Sequence, residues 1–149
     1  MPKKPKVLFL SASNSTRSQM AEGVLRQLAG DRFVVSNTAT EPNGISSVAD
    51  EVMAGAGIDI SKQQPKKISE SLKDHFAFVI TLYDAARELS PVFPFTTNLM
   101  RWNLADPNRD ELREHSKEEF RHLRDEITIK IREFLKNVVA QNQQDQMRP

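Results

Sequence analysis

Residues 11–18, with the sequence Ser-Ala-Ser-Asn-Ser-Thr-Arg-Ser, combine small polar side chains with one arginine, a composition that suits anion binding. Small side chains leave room for a loop to curl around a tetrahedral anion, and the unpaired amides at a helix start favour negative charge. Arg17 adds a guanidinium fork that matches phosphate-like oxygens. We therefore predict a P-loop type of oxyanion site, here called the anion loop, made of Ser11, Ala12, Ser13, Asn14, Ser15, Thr16, Arg17 and Ser18.

The same residues could instead form only a polar loop in which Ser18 caps the following helix. Two features favour the anion site. Asn14 tolerates a left-handed backbone, which a tight anion-binding turn often needs. The loop also follows an apolar run at residues 7–10 and precedes a helical pattern whose apolar face begins at Ala21. It therefore joins a strand to a helix.

Short apolar runs alternate with helical patterns along the chain, and this alternation predicts the fold class. Runs of strand length are expected to form β-strands at residues 7–10, 33–36, 76–82 and 99–102. The nearly continuous apolar run at 76–82 is typical of a parallel strand buried on both faces. We predict an α/β fold, an open parallel sheet with helices on both faces, in which ligands bind at the carboxyl ends of the strands.

Local signals predict where several helices begin and end. The first helix is expected to end near Gly30. Ser46 or Ser47 could cap the next helix, and Gly57 is a suitable stop for it. A short helix at residues 69–73 could be capped by its first serine.

The C-terminal third of the chain carries the longest helical pattern. Residues 83–89 are expected to form one or two helical turns, and residues 110–141 a long helix that could break near Ser116. Apolar residues at three- and four-residue steps predict its core-facing stripe: Phe120, Leu123, Ile127, Ile131, Phe134 and Val138. We expect one domain over residues 1–140 and a fraying polar tail at 141–149.

Composition excludes several classes of function. The chain has 149 residues, 38% of them hydrophobic and 28% charged, which is typical of a globular domain. A net charge of +1 gives no electrostatic case for nucleic acid or an anionic membrane. The apolar runs are too short to span a bilayer, and no signal peptide is recognisable, so we expect a cytoplasmic location. The chain contains no cysteine, and we expect no metal and no cofactor.

The anion loop and the residues after it resemble the signature of low-molecular-weight protein tyrosine phosphatases and the related thioredoxin-coupled arsenate reductases. In that family a cysteine, five residues and Arg-Ser follow the first strand. The spacing from Ser11 to Arg17 and Ser18 fits, and so does the run at 19–23, Gln-Met-Ala-Glu-Gly. Ser11 stands where the family has its nucleophilic cysteine, and Ser13 where it usually has glycine.

The resemblance extends over about residues 6–135 and implies a three-layer fold of the low-molecular-weight phosphatase type. Residues 37–42 resemble the Ser-Ala-Gly-Thr-Glu-Pro run of the family, with Ala39 in place of glycine. Asp106, followed by Pro107, matches the family's general acid on the loop after the last strand. The resemblance thus implies catalytic positions at Ser11, Arg17 and Asp106.

The thiol chemistry of the family cannot occur in a chain without cysteine. The reductases resolve arsenate through two further cysteines, and Tyr83 and Ser90 occupy those places here. Serine does not ionise as a thiol does, so a serine nucleophile would need a general base. The three histidines are expected to be solvated or capping residues: His75, His115 and His122. Departures unrelated to sulfur, such as Ser13, favour natural divergence over deliberate removal of thiols.

We therefore expect a pseudoenzyme that binds phosphate, arsenate or a phosphoryl group without turning it over. Arg17 and the loop amides would hold the anion, Asn14 would fix the loop, and Ser18 would stabilise position 11. Two alternatives remain open. One is an active arsenate reductase or tyrosine phosphatase whose nucleophile has been replaced, or a slow serine-based phosphatase. The other is a protein-interaction module with a vestigial pocket, which would be favoured if the side chain of Ser13 or a neighbouring carboxylate, and not an anion, occupied the loop.

Overall fold

A four-stranded parallel sheet forms the centre of the computed structural model, which describes residues 4–41, 46–94, 98–107 and 117–147. The strands are β1 (Lys6–Ser11), β2 (Val34–Ala39), β3 (Phe78–Tyr83) and β4 (Leu99–Asn103), in the spatial order β2-β1-β3-β4. The helices are α1 (Thr16–Ala29), α2 (Ser47–Gly55), α3 (Ile68–Ser71) and α4 (Lys117–Met147). The predicted parallel α/β architecture is confirmed.

The strand order determines where a ligand can bind. Ser11, at the end of β1, lies level with Ala39 of β2 and Leu82 of β3. The carboxyl ends of the parallel strands therefore meet at one edge of the sheet. The chain runs from β1 to β2 on one side and then crosses to β3 on the other, so a crevice opens beside the end of β1. The anion loop leaves β1 at this point.

The two faces of the sheet are covered unequally. Helices α1, α2 and α4 pack on one face, over side chains that include Phe9 of β1 and Trp102 of β4, whose ring centroids are 6.0 Å apart. The predicted stripe of α4 lies in this core, with Val138 partly buried at its edge. The other face, with Leu8 and Leu10, is covered by Ile68 of α3 and by Phe93 from an irregular segment.

Several predicted helix ends are confirmed. Ser46 caps α2, and its hydroxyl accepts a hydrogen bond from the Ala49 amide. Gly57 follows that helix with a φ of +79°, a conformation that glycine adopts without strain. Gly30 directly follows α1.

Other predicted bounds are wrong. Strand β2 extends to Ala39, three residues beyond the predicted end at residue 36, because its pairing with β1 continues to Ser11. Helix α3 begins one residue before Ser69 and ends at Ser71, and its N-cap is Lys67. The structure shows a turn at residues 85–87 and no helix in residues 83–89, where helical turns were predicted.

Helix α4 continues through the predicted fraying tail to Met147. The tail is rich in glutamine and lacks glycine and proline before its last residue, so its sequence does not stop a helix. The predicted start at residue 110 and the break near Ser116 lie outside the described residues. Among the described helices none is long and apolar enough to cross a membrane.

Candidate functional site

The anion loop begins at Ser11, which is fully buried at the end of β1. Its hydroxyl oxygen accepts a hydrogen bond of 2.8 Å from the Ser18 amide, in the first turn of α1. A group at position 11 therefore lies against the positive end of the helix, where a negative charge would be stabilised. The Ser18 hydroxyl donates to the Ser15 carbonyl at 3.0 Å and so ties the loop to its own helix.

The loop turns sharply at Ser13, whose φ of 61° makes it the non-glycine residue with a left-handed backbone in the described chain. We expected Asn14 to take such a conformation, and the structure places it one residue earlier. The side chain of Asn14 instead stabilises the loop, because its oxygen accepts a hydrogen bond of 3.0 Å from the Thr16 amide. Serine at position 13 thus adopts a conformation for which glycine would be less strained.

Several amides of the loop already have acceptors in the protein. The Ala12 amide donates to the Leu82 carbonyl at 3.0 Å, and the Ser13 amide donates to the Thr40 hydroxyl at 2.8 Å. The Ser13 carbonyl accepts the Glu41 amide at 2.8 Å. These bonds hold the loop in place between β2 and β3. An anion that used the same amides would have to displace them.

Arg17 is fully buried and is the largest such side chain in the described structure. Its Nη1 donates to the Leu104 carbonyl at 2.9 Å, and its Nη2 donates to the Ala12 carbonyl at 2.9 Å. Both nitrogens also donate to the carboxylate of Glu88, at 2.8 and 2.9 Å. The Nε–H has no acceptor among the described residues. The guanidinium is thus held rigidly, with one donor left over.

Glu88 is the site residue that the sequence analysis missed. It lies in the turn after β3, and the strand order brings that turn to the end of β1. Burial works to raise the pKa of its carboxyl, but hydrogen bonds from Arg17 and Ser13 outweigh burial and leave the pKa below its ordinary value. Glu88 therefore stays ionised at neutral pH. A sequence signal existed only in its position after the strand that neighbours β1.

Asp106 lies in the same crevice and is 2% exposed. Its Oδ2 accepts a hydrogen bond of 2.7 Å from the side-chain amide of Asn14 and lies 3.7 Å from Nη2 of Arg17. The structure thus brings together the side chains of Asn14, Arg17 and Asp106, although Asp106 lies 92 residues after Asn14 in the sequence. Asn14 spans the crevice, because its oxygen holds the loop and its nitrogen holds Asp106.

The remaining predicted site residues are buried and hold the end of the loop that leads into α1. Ser15 and Thr16 are buried, and the Ser15 hydroxyl accepts the side-chain amide of Gln19 at 3.0 Å. Among the histidines, His75 and His122 are exposed, as expected, and His122 pairs with Glu126 at 2.8 Å. The third, at position 115, lies outside the described residues. No cluster of side chains that could hold a metal ion occurs among the residues described.

Comparisons with known proteins agree on one family. A family model described as low molecular weight phosphotyrosine protein phosphatase matches residues 6–144. The arsenate reductases of Halalkalibacterium halodurans and Bacillus subtilis strain 168 are each 35% identical to this chain over 129 residues, which cover 86% of it and 93% of the relative.

Solved structures of proteins similar to this chain come from the same family. An arsenate reductase in the phosphate binding state is 31% identical, with a TM-score of 0.73 over 92% of this chain and 98% of that one. A low-molecular-weight protein tyrosine phosphatase from T. tengcongensis, at 20% identity, shares the fold with a TM-score of 0.70 over 90% of this chain and 99% of that one. The chain therefore belongs to the low-molecular-weight phosphotyrosine phosphatase and arsenate reductase family, as a member without cysteine.

Proposed function

We propose that this protein binds an oxyanion, such as phosphate, arsenate or a phosphoryl group, at the anion loop and performs no thiol catalysis. The observation that carries the proposal is the buried Nε–H of Arg17, which has no acceptor among the described residues. An unsatisfied buried donor costs about 1 to 3 kcal/mol. An oxyanion seated beside the loop would supply the missing acceptor.

The position of the loop also supports anion binding. Ser11 lies at the start of α1 and at the crevice beside the end of β1, which is where open α/β sheets bind their ligands. A relative that is 31% identical has been solved as an arsenate reductase in the phosphate binding state. The strand, loop and helix that would hold the anion follow one another in this chain as β1, the anion loop and α1.

Catalysis by the family's thiol route is excluded by composition. Reduction of arsenate delivers two electrons through a disulfide, and the chain has no cysteine to form one. A serine nucleophile at position 11 would need a base within hydrogen-bond reach. In the described structure His75 and His122 are exposed and form no hydrogen bond with Ser11. We therefore expect this chain to be catalytically inactive.

Isothermal titration of phosphate and arsenate into the protein and into Arg17→Ala tests the proposal. We expect binding at millimolar concentrations or below in the unchanged protein and none in the variant. Circular dichroism must show that the variant is folded, and Arg17→Lys keeps the charge if it is not. Absence of binding to the unchanged protein would refute the proposal.

An active phosphatase lineage is a second candidate, favoured by the intact surroundings of position 11. The Ser18 amide contacts the Ser11 oxygen, and the buried Asp106 lies beside Arg17. Ser11→Cys should restore hydrolysis of an aryl phosphate if these parts still function together. Asp106→Asn in the same background is the control, and it should remove the restored activity. An inactive Ser11→Cys protein would argue against this candidate.

A protein-interaction module with a vestigial pocket is favoured by a different observation. The Glu88 carboxylate occupies two donors of Arg17, and near it in sequence Leu89 and Val92 are 91% and 88% exposed. On this reading neither phosphate nor arsenate binds to any form of the protein. Partner binding should then depend on Leu89 and Val92, and the double change to serine should abolish it.

A further inference from the structure

The Glu88 carboxylate is bound within the protein in the way an external oxyanion would be bound. Its Oε1 accepts Nη1 of Arg17 at 2.8 Å and the Asp84 amide at 2.7 Å. Its Oε2 accepts Nη2 of Arg17 at 2.9 Å and the Ser13 hydroxyl at 2.7 Å. Each oxygen thus has two donors, and the carboxylate and guanidinium form a two-pronged pair. A side chain of the protein is the ligand of its own anion loop.

The turn that carries Glu88 is attached to the rest of the molecule by few contacts. The Asp84 carbonyl accepts the amides of Arg87 and Glu88, at 3.0 and 2.7 Å, and the Ala85 amide donates to the side chain of Asn103 at 2.8 Å. Beyond Glu88 the chain continues with Leu89, which is 91% exposed. Within the turn the Ala86 amide also donates to the Asp84 side chain at 3.1 Å, and the Glu88 carboxylate connects the turn to Arg17 and Ser13. Segments with so little buried surface open at low cost.

Charge around Arg17 favours displacement of Glu88 over simultaneous binding. One guanidinium faces two carboxyl groups, because Asp106 lies 3.7 Å from Nη2 while Glu88 bonds both terminal nitrogens. Adding a phosphate to this arrangement would place three acidic groups around one cation in a buried crevice, which is strongly unfavourable. If Glu88 leaves, the phosphate can take over the two terminal nitrogens of Arg17 that Glu88 held.

We infer that Glu88 is an intramolecular competitor of the anion loop, and that an external oxyanion binds only when the turn at residues 84–88 swings the carboxylate away from Arg17. This inference rests on the proposed function and adds its regulation. The apparent affinity for an oxyanion then equals the affinity of the open form multiplied by the fraction of molecules in which the turn is open. Whatever stabilises the open turn increases the affinity of the loop.

Phosphate titration into a set of variants tests the inference. Glu88→Gln removes the charge and keeps the shape, and Glu88→Ala removes the competitor. We expect phosphate affinity to rise by about tenfold or more in these variants, as the closed fraction falls. Glu41→Gln is the matched control, because its backbone contacts the loop at Ser13 while its side chain is exposed. It removes a nearby negative charge without freeing Arg17, and it should change the affinity by less than about twofold.

The outcomes separate the inference from the proposed function. Equal affinities in the unchanged protein and in both Glu88 variants, with binding lost in Arg17→Ala, would overturn the competitor and leave the anion site standing. No phosphate binding in any folded variant would overturn both. A rise as large in Glu41→Gln as in Glu88→Gln would assign the effect to general charge and overturn the competitor.

A measurement on the unchanged protein covers the case in which a Glu88 variant fails to fold. The Asp84 amide donates to Glu88, so its proton NMR resonance reports whether the carboxylate is in place. At phosphate concentrations that saturate the loop, this resonance and that of the Glu88 amide should shift. Saturation with no change at either amide would overturn the inference, since the turn would then have stayed closed.

Discussion

Helix α1 carries two arginines that pair with poorly exposed carboxylates, and the two pairs are built differently. Arg17 is fully buried and pairs with Glu88, whose side chain is 14% exposed. Arg26 is 57% exposed and reaches back by one turn to Glu22, whose side chain is 5% exposed, at 3.2 Å. In the first pair the cation is buried and the carboxylate reaches it from another element. In the second pair the carboxylate is buried and the cation lies at the surface.

The pKa values of the two carboxylates are shifted in opposite directions. Burial raises the pKa of Glu22 above its ordinary 4.5, and hydrogen bonds from Asn37 and Arg26 do not reverse the shift. Burial acts in the same direction on Glu88, but bonds from Arg17 and Ser13 bring its pKa below 4.5. Glu88 is less buried and has more donors. The number and charge of the donors thus decide which carboxylate stays ionised.

The largest expected effect comes from removing the cation of each pair. Arg17→Ala should lower the free energy of unfolding by about 3 to 5 kcal/mol, because it leaves two carboxyl groups in the crevice without their cation. Arg26→Ala is the matched variant on the same helix, and it should cost less than about 1 kcal/mol because its side chain is mostly in water. Urea denaturation at neutral pH measures both. Similar losses would mean that burial of the cation does not distinguish the pairs.

Neutralising each carboxylate should give a smaller and unequal effect. Glu88→Gln should lower the free energy of unfolding by about 1 to 3 kcal/mol at pH 7, because a charged hydrogen-bond acceptor is lost to Arg17. Glu22→Gln should change it by less than about 1 kcal/mol, because the burial that penalises the charged form no longer acts. A larger loss of stability in Glu22→Gln than in Glu88→Gln would contradict the assignment of Glu88 as the more strongly held carboxylate.

The pH dependence of these differences should have opposite signs. Folded Glu88 binds protons less readily than unfolded Glu88, so its contribution is present above pH 4.5 and is lost as the pH falls through its lowered pKa. Folded Glu22 binds protons more readily, so its contribution declines as the pH rises from 4.5 through its raised pKa.

Urea midpoints of the unchanged protein and the two glutamine variants, measured across acid to neutral pH, check these signs. Subtracting each variant cancels Asp59 and Asp74, whose pKa values are also lowered. The advantage of the unchanged protein over Glu88→Gln should shrink on acidification. Relative to Glu22→Gln, the unchanged protein should gain stability as the pH falls from neutral towards 4.5. Parallel profiles for the two variants would contradict both assignments.

The smallest expected effect concerns the backbone conformation of Ser13, the residue whose hydroxyl donates to Glu88. Ser13→Gly and Ser13→Ala both remove the hydroxyl, but only glycine relieves the left-handed backbone at φ 61°. We expect the glycine variant to be more stable than the alanine variant by about 0.5 to 1 kcal/mol in urea denaturation. Equal stabilities would mean that the loop relaxes out of this conformation in the alanine variant.

The sequence by itself determined the strand, loop and helix around residues 11–18 and the parallel α/β class. These follow from local patterns, because an apolar run, small polar residues and a helical face at fixed spacing leave few alternatives. The family was indicated by the resemblance of the anion loop and of Asp106 to known motifs. It also determined that the thiol chemistry is absent, since composition alone decides that. The catalytic roles of Ser11, Arg17 and Asp106 stay predictions.

Only the tertiary structure decided which carboxylate pairs with the Arg17 guanidinium. Glu88 is 71 residues away in sequence, in a stretch that was predicted to be helical and forms a turn. The pair exists because the strand order β2-β1-β3-β4 brings the end of β3 next to the end of β1. Contacts of this kind depend on how strands are ordered in the sheet, and no local pattern in the chain encodes them.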